Sequence, residues 1–241
     1  MLRSIIAHSI PKGGLKIRIH IIDLSKTQES FPRFKRDFGP EHECIYINGF
    51  KNSYPDPQPV DALVLTGSEY SVTEDHPWLE SLMEYVRTFF EAGKPMLGVC
   101  YSHQLIARSL AGPQAVGKAA VPEVTYAPIE ILKEHPIFKG LPNPFRVMSS
   151  HYDQVCHPPE GFEVFACSKN CPIQMMVHQD KPVVGMQFHP EMDIGEGKKS
   201  LFGEWEKLKG FGLDPNVLLA QFPSHRTGAE VVLTNFIKFV S

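Results

Sequence analysis

Apolar runs alternating with helix-forming segments predict an α/β fold on a mostly parallel sheet with a small antiparallel extension. Two observations carry that expectation. Short apolar runs stand at 17–22, 44–47, 62–65 and 95–99, and helical spacing of apolar residues recurs at 78–92, 101–110 and 229–240. The run at 95–99 then breaks at Gly98-Val99-Cys100 straight into helix-forming sequence, the pattern of a sharp strand-to-helix turn.

Taken in order, 17–22, 44–47 and 62–65 are the first three strands. The proline-rich stretch 54–59 between the second and third is a surface loop. A helix at 78–92 leads to the strand 95–99, the turn at Cys100 and a helix at 101–110. From 124 to 184, short extended runs are separated by proline turns such as Leu141-Pro142-Asn143-Pro144 and His157-Pro158-Pro159. That segment reads as an antiparallel extension inserted before the strand that delivers His189. The last helix, 229–240, is amphipathic and belongs to core packing. With no internal repeat, low-complexity tract or interdomain linker, residues 1–241 read as one domain.

Composition narrows the function. The 241 residues are 42% hydrophobic, enough for a large core, and the formal charge of −3 gives no electrostatic footprint for nucleic acid. No apolar stretch approaches the ~20 residues a membrane span needs. The opening segment 1–10 is too short and interrupted for a secretory signal. Five cysteines, at 44, 100, 156, 167 and 171, make an odd count that predicts a reducing, cytoplasmic setting. Cys167 and Cys171 lack a second cysteine pair or a closely spaced histidine pair, so no metal is expected, and no cofactor.

The chemistry concentrates in two segments. In Met96-Leu97-Gly98-Val99-Cys100 the turn pushes a thiol outward, and the helix that follows favours its thiolate. A free thiol is only a few per cent ionised near neutral pH, so an acyl-transfer cysteine needs a base. The run Val183-Val184-Gly185-Met186-Gln187-Phe188-His189-Pro190-Glu191 supplies one. His189 can take the thiol proton and return it to a leaving amine, and Glu191 can orient the ring through its other nitrogen.

Gly98-Val99-Cys100-Tyr101-Ser102-His103-Gln104 together with Phe188-His189-Pro190-Glu191 resembles the class I glutamine amidotransferase family. The likeness covers most of the chain and is strongest at these residues. It implies a flavodoxin-like, doubly wound α/β fold with Cys100, His189 and Glu191 as the catalytic triad. It also implies an oxyanion hole from the backbone N–H groups of Ser68 and Tyr101, and substrate contacts from Gly67, Gln104, Ser150, His151 and Tyr152. The chain departs from the family at Ser102 and at Gly67-Ser68-Glu69, where glycines are usual, and Pro122-Glu123-Val124 lacks a glycine after the glutamate.

By that resemblance the protein attacks the side-chain amide of glutamine, forms a γ-glutamyl thioester on Cys100 and releases ammonia, most like the glutaminase domain of GMP synthase. No segment here could be the synthetase that consumes the ammonia, so a synthetase partner is implied if the chain does not act alone. Two alternatives stand beside this reading. One keeps the chemistry but cleaves γ-glutamyl peptides or conjugates. The other is a catalytically silent regulatory or binding subunit.

Overall fold

The computed structural model describes residues 16–241, so the opening segment 1–10 lies outside the described residues. The strands are β1 (Arg18–Asp23), β2 (Glu43–Asn48), β3 (Ala62–Leu65), β4 (Met96–Val99), β5 (Val116–Ile131), β6 (Phe145–Val155), β7 (Phe162–Cys167), β8 (Met175–His178) and β9 (Val183–Met186). They form one sheet in the order β2-β1-β3-β4-β9-β8-β7-β5-β6. Neighbours from β2 to β9 run parallel, and those from β9 onward run antiparallel. The mostly parallel sheet with an antiparallel extension is therefore present.

Period-2 alternation along the parallel strands builds two cores. Ile19 and Ile21 of β1, Ala62 and Val64 of β3, and Leu97 and Val99 of β4 face one side. There they meet Phe34 and Phe38 of α1 (Ser30–Phe38) and Val232, Leu233, Phe236 and Ile237 of α7 (Val231–Val240). Ile22, Leu63, Leu65 and Met96 face the other side, against α2 (Leu79–Glu91) and α3 (Tyr101–Ala111). Because both faces are covered, β3 and β4 are buried at every position, as parallel strands require. Helix α2 turns Leu79, Leu82, Val86 and Phe89 inward, and burying each such side chain contributes about 1.5–3 kcal/mol.

The extension begins at Val116, ahead of the expected 124, and is larger than predicted. A register shift between Lys118 and Glu123 bends the sixteen-residue β5, whose far end leaves β6 and pairs with β7. Three short helices that the sequence reading did not place, α4 (Ile194–Gly203), α5 (Trp205–Gly210) and α6 (Pro215–Leu219), pack on this ribbon through Leu201, Leu208, Leu218 and Leu219 against Val124, Tyr126 and Met148.

Candidate active site

At the carboxyl end of β4 the chain reverses into α3 through Cys100, whose φ of 52° and ψ of −105° lie outside the regions L-residues favour. The reversal is possible because residue 98 is glycine. A Cβ there would stand 2.6 Å from the Ser102 carbonyl oxygen and 2.7 Å from Ile106 Cδ1. Ser102, the departure at the elbow, is fully buried and donates its hydroxyl to the Thr66 carbonyl at 2.6 Å. The Cys100 N–H donates to Met186 O at 2.8 Å, tying the elbow to β9.

His189 lies three residues beyond β9 rather than on it. Strand β9 ends where its partner does, at the Val99–Met186 pair, and the chain then crosses to the extension. Gln187 N–H donates to Gln174 O and His189 N–H to Met148 O, both at 2.8 Å. Nδ1 of His189 is 2.8 Å from Glu191 Oε1, with both side chains buried. Burial disfavours a charged ring, but the Glu191 carboxylate and the Cys100 thiol that share a hydrogen-bonded contact with it hold His189 well above its ordinary 6.5. His103, three residues after the cysteine, is the opposite case. Burial pushes it down to about 3 despite a bond at the Ile173 carbonyl, so it stays neutral.

Gly67 closes against this pair: a Cβ would lie 2.8 Å from His189 Cε1 and 3.5 Å from Cys100 Cβ. No protein acceptor among the described residues takes the N–H of Ser68 or of Tyr101. Ser68 uses its hydroxyl to hold Tyr70 N–H at 3.2 Å.

The remaining predicted contacts divide. Gln104, one turn along α3, spends both amide hydrogens internally, on Asp153 O at 2.7 Å and Gln187 Oε1 at 2.9 Å, which leaves its carbonyl as an acceptor. The Ser150 carbonyl accepts from the Cys100 thiol at 3.5 Å, and the Ser150 hydroxyl pairs with Ser200 at 3.0 Å. His151 is buried between Asp153 O at 3.0 Å and Glu123 Oε2 at 3.2 Å. Burial opposes charge on Glu123, yet His151 and the hydroxyls of Ser168 and Ser149 hold its carboxyl below the ordinary range. Tyr152, on the other face of β6, donates to Glu204 Oε2 at 2.8 Å under the Lys207 ammonium.

Three residues at the site were not read from the sequence. Gln187 donates to Cys100 Sγ at 3.5 Å. Glu123 anchors the His151 cluster. Arg36 of α1 donates to the Glu191 main-chain oxygen at 2.7 Å while gripping Asp37 with two bonds. The alternation of Gln187 with Met186 and Phe188 was the one available signal, a polar side chain inside an apolar run. Over Cys100 opens a cleft of about 890 Å³, walled by the loop after β3, by β6 and by α4 and α5.

A buried thiol on a strained turn beside a charged histidine–carboxylate pair defines a site built for cysteine-based acyl transfer on a doubly wound sheet. Residues 40–206 match the family described as Glutamine amidotransferase class-I, and the chain belongs to that family. A relative in Pyrococcus abyssi, described as the glutamine-hydrolyzing subunit of GMP synthase, is 35% identical over 168 residues, covering 68% of this chain and 88% of its own. The protein of the same description in Saccharolobus solfataricus is 39% identical over 142 residues, covering 59% and 73%. A solved glutamine amidotransferase from Thermotoga maritima superposes with a TM-score of 0.77 at 18% identity, over 94% of this chain and 98% of that one, which shows the shared fold. Among the described residues no helix is long and apolar enough to cross a membrane.

Proposed function

We propose that the protein hydrolyses the side-chain amide of glutamine through a γ-glutamyl thioester on Cys100 and releases ammonia. The observation that carries this is the buried His189, held toward its charged form between the Cys100 thiol and Glu191. The thiol proton passes to His189, and the thiolate attacks the amide carbon. The oxyanion that forms is met by the N–H groups of Ser68 and Tyr101. Collapse breaks the C–N bond while His189 returns the proton to the departing ammonia. A water that gives its proton to His189 then cleaves the thioester, freeing glutamate and the thiol.

Gly67, Ser150, His151 and Tyr152 shape the substrate end of the cleft, and the free Gln104 carbonyl accepts from the substrate ammonium. The whole chain acts as one domain in the cytoplasm, a setting in which its five free cysteines persist. The likeness to relatives named as the glutamine-hydrolyzing part of GMP synthase supports delivery of the ammonia in trans to a synthetase partner. One observation favours a second substrate: a cleft of about 890 Å³ is at the upper end of the range for drug-sized ligands, far more than glutamine fills. That room suits a γ-glutamyl peptide or conjugate.

Glutamate release from glutamine and from γ-glutamyl conjugates, measured beside Cys100→Ala, tests both. Release from glutamine lost in the variant supports the ammonia donor, and release from conjugates alone supports the γ-glutamyl hydrolase. Absence of release together with no labelling of Cys100 by an amide-mimicking electrophile, in the presence of candidate synthetases, would mark a silent binding subunit.

A further inference from the structure

Thr66, at the end of β3, is fully buried and spends every polar atom on the loop that follows it. Its Oγ1 accepts the Leu24 N–H at 2.9 Å and sits 3.0 Å from the Gly67 carbonyl, to which it donates. Its own carbonyl accepts the Ser102 hydroxyl at 2.6 Å. A peptide unit is planar, with its C=O and N–H pointing in opposite directions. The Gly67 carbonyl belongs to the same plane as the Ser68 N–H, and the Thr66 carbonyl to the same plane as the Gly67 N–H. The Thr66 hydroxyl therefore turns the Ser68 N–H away from itself, and Ser102 sets the preceding plane.

We infer that Thr66 and Ser102 are positioning residues that aim the Ser68 N–H at the oxyanion formed on the Cys100 adduct. The inference rests on reading Cys100 as the acyl-transfer nucleophile. Ser102, where the family usually has glycine, then ties the oxyanion loop to the first turn of the nucleophile's helix. Both donors of the oxyanion hole are in this way fixed to one rigid element. Leu24 N–H, the first amide beyond β1, completes the chain of bonds and anchors it to the neighbouring strand. A loop bearing Ser68 in place of a second glycine gains through side-chain bonds the register that backbone shape would otherwise supply.

The test uses Thr66→Val, which keeps the shape and loses the hydroxyl, with Thr66→Ser as rescue and Ser102→Ala as an independent variant. Amide hydrolysis builds an oxyanion, whereas alkylation of Cys100 by iodoacetamide does not. Thr66→Val and Ser102→Ala are expected to lower kcat roughly ten- to a hundredfold with little change in KM, while Thr66→Ser stays near wild type. Alkylation of the Cys100 peptide, followed by mass spectrometry across pH, is expected to keep its wild-type rate and profile in all three. Wild-type kcat in Thr66→Val and Ser102→Ala overturns the inference. So does an alkylation rate that falls in step with hydrolysis, since the nucleophile itself would then have moved. If Thr66→Val fails to fold in a thermal melt, Ser102→Ala decides by the same two readouts. A wild-type protein that hydrolyses neither glutamine nor γ-glutamyl conjugates overturns the acyl-transfer reading and this inference with it, an outcome distinct from an active wild type with equally active variants.

Discussion

His189 is asked to be charged in a place that water hardly reaches, and its two neighbours make that possible. Burial alone would empty the ring of its second proton, as it does for His103. The Glu191 carboxylate at 2.8 Å and the Cys100 thiol reverse the sign. In catalysis the charged ring is the acid for departing ammonia, so activity falls on the alkaline side as His189 loses its proton at a value well above 6.5. Glu191→Gln removes the larger of the two supports. Its alkaline limb is expected to move to lower pH, and kcat/KM to drop roughly a hundred- to ten-thousandfold, as when an orienting carboxylate is lost from a triad. A kcat/KM profile of glutamate release against pH checks both, and an unmoved limb would assign the titration to another group.

At the scale of elements, α1 is the brace of the catalytic loop. Arg36 holds the Glu191 main-chain oxygen at 2.7 Å, and one turn earlier Arg33 holds Glu196 at 2.6 Å, in the capping box of Asp193 and Glu196 that starts α4. Replacing Arg36 with methionine keeps the stem and removes the donor. Because the side chain is 41% exposed, the stability lost is about 1 kcal/mol or less. The looser Glu191 is expected to lower kcat several-fold with KM nearly unchanged. Urea unfolding and steady-state kinetics on Arg36→Met separate the two effects. A KM rise at constant kcat would mean that Arg36 serves binding instead.

This brace was hidden in the sequence for a physical reason. Pro32 sits inside the first turn of α1 and the helix has only nine residues, so periodicity has little room to show. Glycines 195, 197 and 203 likewise make α4 read as loop. The triad was legible because each half is a short local pattern, an elbow with its cysteine and a histidine two residues from its carboxylate. Gln187, Glu123 and Arg36 act across the fold. Gln104 meets Gln187 at a separation of 83 residues, and Arg36 meets Glu191 at 155, distances no local pattern encodes. The parallel half of the sheet was legible from apolar runs, whereas the reach of the extension depends on a bulge in β5 that carries no periodic mark.

Across the whole molecule, buried histidines set how stability responds to pH, and they pull in opposite directions. His103, pushed by burial from 6.5 down to about 3, takes up its proton more readily in the unfolded chain. Its neutral burial is favourable above 6.5 and becomes a growing penalty as pH falls toward 3, at most about 1.4 kcal/mol per pH unit. His20, His135 and His178, lowered chiefly by burial, share that sign. His189 is raised, so its contribution is complete below 6.5 and is lost as pH climbs through its folded value. The two sets cross near neutrality. Urea midpoints measured from about pH 4 to 9 are therefore expected to peak close to pH 6.5–7, falling on the acid side through His103 and on the alkaline side through His189. His189→Asn removes the raised group, and its curve is expected to lose the alkaline decline while keeping the acid one. A wild-type curve that keeps rising from pH 7 to 9 would show that the His189 charge is not held by the folded state, and the thiolate–imidazolium pair would lose its main support.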